Sequence, residues 1–154
     1  MKNIILTIGA IILSLSLMSV AYAGTDMEEC DLSGASLKKC DLSGVNFKNS
    51  TLRNVNFQKA NLTNAIFHLS VLRGSDFRNA NLKDADLRAC DLSDCNFEGA
   101  DLTGAIISGS NLQSANLKNA NLKKVDLSST VWANVICPDG TISNKNGYSC
   151  DGNL

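Results

Sequence analysis

The sequence predicts an all-β solenoid in which short extended segments follow one another around a coil, with a corner every five residues. Three observations support this prediction. A large apolar residue recurs every five residues at 20 consecutive positions, from Leu32 to Leu127, without a break in register. A small residue stands two positions before each of them, and Asp or Asn lies between the two in 15 of the 20 units. Periods this regular are typical of solenoids, whose stacked repeats bury one continuous core.

Each five-residue unit divides into an extended piece and a turn. In the extended piece the small and the large residue point inward on either side of one outward Asp or Asn, whose side chain we expect to bond the nearby turn backbone. The next two residues are rich in Gly, Ser, Asn and Lys, as in Ser33-Gly34 and Lys48-Asn49, which favours a turn. An α-helix does not fit, because a five-residue step rotates by about 140° and spreads the apolar side chains over every face.

A second period, of 20 residues, indicates four units per coil. The small inward residues at every fourth unit all carry a hydroxyl or a thiol: Cys30, Ser50, Ser70, Cys90, Ser110 and Thr130. Phe57, Phe77 and Phe97 form another such series, and Phe47 with Phe67 a third. Stacked coils place residues 20 apart at about 4.8 Å from each other, so that like residues would lie against like.

The large apolar positions form the predicted core. Its ladders include Leu32, Phe57, Phe77, Leu82, Phe97, Leu102 and Leu122. Burial of Leu, Phe and Ile side chains, at about 1.5–3 kcal/mol each, would stabilise the coil. This architecture also explains why the chain has a single Pro, since each coil's N–H groups are needed by the next coil.

Units such as Ala60-Asn61-Leu62-Thr63-Asn64 and Ala100-Asp101-Leu102-Thr103-Gly104 share the motif A-(D/N)-L-x-x. Over residues 30–129 the chain resembles the pentapeptide-repeat proteins. The resemblance implies a right-handed quadrilateral β-helix of about five coils, with one pentapeptide on each side. Some pentapeptide-repeat proteins mimic DNA and protect or inhibit topoisomerases.

The N-terminus predicts export. Lys2 precedes an apolar run from Ile4 to Val20, which ends in the small-x-small sequence Ala21-Tyr22-Ala23. This pattern is typical of a secretory signal peptide cut after Ala23, and an uncleaved membrane anchor is the alternative. We therefore expect a periplasmic or secreted protein with no membrane span after cleavage. The predicted organisation is a signal peptide (1–23), a lead-in (24–29), the repeat region (30–132) and a C-terminal cap (133–154).

The six cysteines fall into two groups. Cys137 and Cys150 flank turn signals outside the clean repeat, and an exported chain favours a disulfide between them. The other four occupy the small inward position: Cys30, Cys40, Cys90 and Cys95. We expect these four to be buried replacements for Ala, with bridges 30–40 or 90–95 as the alternative. Their spacing is not that of a zinc site, and we predict no metal or other cofactor.

The two ends of the solenoid differ. Trp132 would extend the ladder that ends in Leu112 and cover its last rung, as part of a cap. Solenoids need such caps because a bare terminal coil exposes both apolar core and unpaired backbone. At the other end Thr25-Asp26-Met27 keeps the register only weakly, which makes end-to-end homodimerisation a hypothesis.

The outward surface departs from the motif at a few positions. Ile66, Val71 and Ile106 replace Asp or Asn, and Leu69 occupies a turn position beside His68. Ile66, Leu69 and Val71 would cluster at one corner of a coil. Together these five residues are a candidate interaction patch, because small apolar patches on repeat proteins mark partner sites. Scattered surface hydrophobic residues are the alternative.

Composition and motifs narrow the function. The net charge of −1 lacks the basic excess of nucleic-acid-binding proteins, and no nucleophile-elbow, phosphate-loop or metalloprotease motif occurs. We therefore expect an exported, non-catalytic scaffold or interaction module with an unknown protein or envelope partner. DNA mimicry toward topoisomerases is the second hypothesis. Export disfavours it, and so does a charge of −2 after signal removal (13 basic and 15 acidic residues).

Overall fold

The computed structural model describes residues 23–143 and residue 150. The predicted signal peptide lies outside the described residues except for Ala23, as do positions 144–149 and 151–154 of the predicted cap. Within the described part, the extended segments are single-residue β-bridges between positions 20 apart, running in parallel from Asp26 with Asn46 to Asn116 with Ile136. Four bridges fall in every 20 residues, which makes the coil four-sided. The pairing also extends beyond 30–132 at both ends.

Each corner is a tight turn. The N–H of the small residue donates to the carbonyl of the large apolar residue three positions earlier, as from Ala65 to Leu62 at 3.0 Å. The second turn residue has positive φ along the described coil, from 59° at Glu29 to 55° at Asn134. Type II turns require this geometry at that position, which explains the many Gly and Asn residues there. At Gly104 a Cβ would also collide with Oδ1 of Asp84 in the neighbouring coil.

The outward Asp and Asn side chains stabilise these turns. Oδ1 of Asp91 accepts from the N–H of Ser93 at 3.1 Å, and Oδ1 of Asn116 accepts from the N–H of Lys118 at 3.0 Å. The same contact, between residues two positions apart, recurs along every side of the coil. It satisfies a turn N–H that would otherwise bond only to water.

The core is a set of side-chain ladders inside the coil. Leu82, Leu102 and the five Phe residues are fully buried, and Leu122 is nearly so. The rings of Phe57, Phe77 and Phe97 stack with centroids 4.8 Å apart, which is the spacing of the coils themselves. Leu32, in the first described coil, is only partly buried, whereas Leu37 and Leu42 of the same coil are buried.

The buried hydroxyls link neighbouring coils through their turns. The hydroxyl of Ser110 accepts from the N–H of Cys90 at 2.9 Å and donates to the carbonyl of Leu87 at 2.6 Å. In other turns these two backbone groups bond each other directly. Here the hydroxyl lies between them and bridges the N–H and the carbonyl. Ser75 makes the same pair of contacts with Val55 and Leu52, at 3.0 and 2.7 Å.

The four unbridged cysteines divide by position along the rod. Cys90 and Cys95 are buried, and their thiols donate to carbonyls of the previous coil at 2.9 and 3.0 Å, much as the serines do. Cys30 and Cys40 are only half-buried, so the expectation that all four are buried is wrong for this pair. They lie in the first coil, where no described residue packs beneath them. All four thiols are free, so neither alternative bridge is present.

The C-terminal end is partly covered. Trp132 is 8% exposed and continues the ladder of Leu112. Ile136 pairs in antiparallel fashion with Ile142, which turns the chain back over one side of the last coil. A disulfide joins Cys137 to Cys150, with Cα atoms 5.5 Å apart, as the sequence predicts.

Leu82→Asp should abolish folding. The carboxylate would replace a fully buried rung that has no polar partner, a change expected to remove more than about 4 kcal/mol of stability. Circular dichroism and thermal melting measure the loss. Gln113→Asp, at an exposed turn position, is the control and should keep both the spectrum and the melting temperature. An unchanged β spectrum and melting point for Leu82→Asp would contradict the architecture.

Ser110→Ala should lower the free energy of unfolding by about 1–2 kcal/mol, because it removes two buried hydrogen bonds between coils. Urea denaturation measures the change. Ser110→Cys should restore part of the stability, since Cys90 makes an equivalent contact through its thiol. Ser128→Ala, at an exposed turn position, should stay within about 0.5 kcal/mol of the wild type. Equal effects of Ser110→Ala and Ser128→Ala would show that the inserted hydroxyl is not stabilising.

Reduction of the Cys137–Cys150 disulfide should cost about 3 kcal/mol, because the bridge closes a short loop in the unfolded chain. Urea unfolding with and without dithiothreitol measures this, and peptide mapping under non-reducing conditions identifies the linked pair. The double variant Cys137→Ser/Cys150→Ser should be insensitive to dithiothreitol. Free thiols at both positions in the purified protein would refute the bridge.

Candidate interaction surface

An apolar corner stands out on the otherwise polar surface. Ile66 and Val71 lie on adjacent sides of one coil, and the turn between them contains His68 and Leu69. Leu69 is 51% exposed and Ile66 is 38% exposed, while His68 and Val71 are half-buried. We call these four residues the apolar corner. The structure thus places four of the five predicted patch residues around a single turn.

The fifth predicted patch residue, Ile106, does not join this corner. It lies on the same side of the rod as Ile66 but two coils away, with Asp86 between them. The predicted patch is therefore not continuous through Ile106. Val131, which is 53% exposed, is a further outward apolar residue that the sequence reasoning did not single out, although it also replaces Asp or Asn in the motif.

Leu69 sits in a backbone conformation that Leu disfavours. Its φ is 63°, in the left-handed region, where a residue with a Cβ is disfavoured by about 1–2 kcal/mol. The corresponding positions in the coils on either side are Asn49 and Ala89, and Gly109 follows. Because the Leu69 side chain is 51% exposed, its packing does little to compensate for the unfavourable φ.

Ile66 and Val71 also remove hydrogen bonds from their turns. Elsewhere the outward Asp or Asn accepts from the N–H two residues later, as Asp86 does from Arg88 at 3.1 Å. Ile and Val have no acceptor, and no described residue replaces it for the N–H of His68 or Arg73. Ile66 and Leu69 thus weaken the turn of the apolar corner itself, and Val71 weakens the next turn along the chain, which contains Arg73.

Charged side chains border the apolar corner. Arg88 bonds Asp86 with Nε and Oδ1 2.8 Å apart, and this hydrogen bond holds the pKa of Asp86 below its usual range. Arg73 pairs with Asp94 at 3.0 Å. Nδ1 of His68 lies 3.1 Å from the carbonyl oxygen of Arg88, a contact in which that nitrogen must donate. The corner is therefore an apolar centre with polar, mostly paired groups around it.

The arrangement has no features of a catalytic or metal centre in its described part. Within residues 23–143 and 150, no three His, Cys, Asp or Glu side chains come together as a metal site. Burial raises the pKa of Cys90 to about 12 and that of Cys95 further, which keeps both thiols protonated and unreactive. The surface is suited to contact with another macromolecule.

Fold and surface together define a four-sided β-helical repeat protein with one apolar corner. The family models agree with this description. A model for a pentapeptide repeat region matches residues 11–87, and a model for eight copies of the pentapeptide repeat matches residues 95–131. The chain belongs to the pentapeptide-repeat family.

Solved structures support the same assignment. The chain is similar to a pentapeptide repeat protein from the thylakoid lumen of Arabidopsis thaliana, at 32% identity and a TM-score of 0.53, over 68% of this chain and 69% of that one. It is also similar to the pentapeptide repeat protein Rfr23 of the cyanobacterium Cyanothece 51142, at 22% identity and a TM-score of 0.58, over 79% and 93% of the two chains. The search of curated proteins gave no match. In the part of the chain that the structure describes, no helix has the length and apolarity needed to cross a membrane.

Proposed function

We propose that the chain is an exported, non-catalytic scaffold that binds a protein partner through the apolar corner. The observation that carries the proposal is the clustering of residues that are unfavourable for the local backbone at and next to the apolar corner. Leu69 has a disfavoured φ, Ile66 and Val71 leave turn N–H groups without side-chain acceptors, and two of these apolar side chains are exposed. Sequences break local rules in this way at functional sites, where binding selects the residues.

Rigidity suits the fold to such a role. Each coil is fixed by backbone bonds to its neighbours and by a continuous core, so a corner presents its side chains without a large ordering penalty on binding. We include in the proposal a right-handed winding of about five coils, as the family resemblance implies. The absence of any predicted catalytic motif agrees with a role in binding.

Export is the second part of the proposal. It is supported by the apolar N-terminal run and the Ala21-Tyr22-Ala23 site, and by a disulfide of the kind found in oxidising compartments. The similar Arabidopsis protein is from the thylakoid lumen, which also lies outside the cytosol and stroma. N-terminal sequencing of the protein recovered from a periplasmic fraction tests this part, and should begin at Gly24.

Leu69→Gly should stabilise the fold slightly and abolish partner binding. Gly relieves the positive φ and removes the exposed side chain, so thermal stability should rise or stay level while capture falls at least about tenfold. Chemical cross-linking in envelope fractions, with mass spectrometry, identifies the partner, and titration with the purified partner gives the affinity.

Ser129→Gly is the matched control. It changes the equivalent turn three coils away, also at positive φ (55°), and does not contact the apolar corner. It should gain stability in the same way and bind the partner like the wild type. Equal binding by Leu69→Gly and the wild type would remove the apolar corner from the interface.

The charge pattern does not favour DNA mimicry. Five acidic residues of the described coil form ion pairs, among them Asp86 with Arg88 and Asp101 with Lys83 at 3.2 Å. A DNA gyrase supercoiling assay separates the two functions: the scaffold proposal expects no inhibition and no protection from quinolones. Potent inhibition would replace the scaffold with topoisomerase binding as the function.

A further inference from the structure

Once the signal peptide proposed above is removed, a condition on which this inference rests, the N-terminal face of the described rod is an open β-edge. In the second coil the N–H of Thr51 donates to the carbonyl of Cys30 at 2.8 Å, and the other outward residues bond downward in the same way. In the first coil, residues 24–43, the N–H groups of Asp31, Ser36 and Asp41 have no acceptor among the described residues. Four apolar side chains of this coil are half-buried, Met27, Cys30, Leu32 and Cys40, whereas Leu37 and Leu42 are buried.

This first coil contains the same heptapeptide twice, with its leading charges reversed. Glu28-Glu29-Cys30-Asp31-Leu32-Ser33-Gly34 and Lys38-Lys39-Cys40-Asp41-Leu42-Ser43-Gly44 are identical except that two Glu stand where the other has two Lys. The two copies are ten residues apart, which is half of the 20-residue coil. The structure therefore places the Glu28-Glu29 turn (the Glu corner) and the Lys38-Lys39 turn (the Lys corner) at opposite corners of the same face.

We propose that two copies of this chain pair end to end through their N-terminal faces, about a twofold axis that joins the Ser33-Gly34 corner to the corner where Gly24 lies beneath Ser43 and Gly44. A half-turn about this diagonal brings the Glu corner of each copy onto the Lys corner of the other. The two contacts are equivalent, as twofold symmetry requires. The two corners on the axis, at Ser33-Gly34 and at Gly24, meet their own counterparts and carry no charged side chain.

A square face has several possible twofold axes, and the charges at its corners favour this one. The other diagonal would place Glu on Glu and Lys on Lys, which is repulsive at both contacts. Axes through the middle of two sides would place each charged corner on a corner without a charged side chain and would pair no Glu with a Lys. The chosen diagonal alone pairs all four charged corners of the two faces with opposite charges.

Pairing at this interface would cover the apolar side chains and the backbone N–H groups that are exposed at the open end. The half-buried core residues would be covered by their counterparts, and the unpaired N–H edge would lie against a second edge. The same axis brings the half-exposed Cys30 of one copy and Cys40 of the other to the same corner of the interface, on its two adjacent sides, because each cysteine directly follows its charged corner and the half-turn reverses the chain direction. This juxtaposition gives a direct test of the register.

The test is a thiol-swap experiment. Wild type, Cys30→Ser and Cys40→Ser are expressed as full-length chains, and their exported products are purified with the thiols at positions 30 and 40 in the reduced state. The purified proteins are then oxidised with diamide. Wild type should form a covalent dimer. Each single variant alone should remain a monomer on a non-reducing gel, because the remaining cysteines of its two copies lie at opposite corners of the interface. The mixture of the two variants should form a dimer that peptide mapping shows to be linked from Cys30 to Cys40.

Cross-linking of Cys40→Ser alone through Cys30 would place like corners together and overturn the proposed axis. A mixture that gives no dimer, with a monomeric mass for the wild type by analytical ultracentrifugation, would overturn the pairing itself. The buried Cys90 and Cys95 and the bridged Cys137 and Cys150 are not expected to react.

A charge-swap experiment tests the same pairing without thiols. Glu28→Lys/Glu29→Lys carries Lys at both corners, and Lys38→Glu/Lys39→Glu carries Glu at both. Each variant alone should sediment as a monomer and their mixture as a heterodimer, weakened by high salt. Lys59→Glu, one coil above the Lys corner, is the control and should dimerise like the wild type. Dimers of either double variant alone would contradict the proposed ion pairs.

Discussion

Parallel backbone pairing between residues 20 apart is the constraint on which the rest of this structure depends. The N–H of Leu82 donates upward to the carbonyl of Asp101 at 2.7 Å, and the N–H of Asp101 donates downward to Ala80 at 3.0 Å. A single inserted residue would shift every later side chain to a wrong position, since the inward and outward positions are fixed by the same register. The unbroken period of five over 20 units follows from this requirement, and so does the stacking of like on like in the core.

The sequence predicts the repeat, the coil and the core ladders because each of these is decided by the residues of one unit or by their recurrence every 20 positions. The inserted hydroxyls are different: the series from Cys30 to Thr130 is visible in the sequence, but the insertion of Ser110 into the turn of Cys90 depends on the distance between coils. The half-burial of Leu32 and Cys40 occurs in the first described coil, and a motif repeated along the chain does not encode such a difference between coils.

The candidate site was predictable in part for the same reason. Ile66, Leu69 and Val71 can be found as departures from the motif, and their grouping follows once two sides are known to meet at one turn. The separation of Ile106 becomes clear only from the order of the coils, which puts Asp86 between it and Ile66. The fold tolerates these departures because the turns face solvent, so that a change at one corner leaves the core ladders untouched.

The positions of the two proposed surfaces determine how they would act together. The apolar corner lies directly above the Glu corner, two coils along the rod, since His68-Leu69 and Glu28-Glu29 are 40 residues apart. The proposed twofold axis carries the Glu corner of one copy to the Lys corner of the other, so the two apolar corners would lie on opposite edges of the double rod. End-to-end pairing therefore leaves both corners free and points them away from each other. Such a dimer would hold two partner molecules apart on opposite sides, which is the arrangement expected of a scaffold that bridges partners.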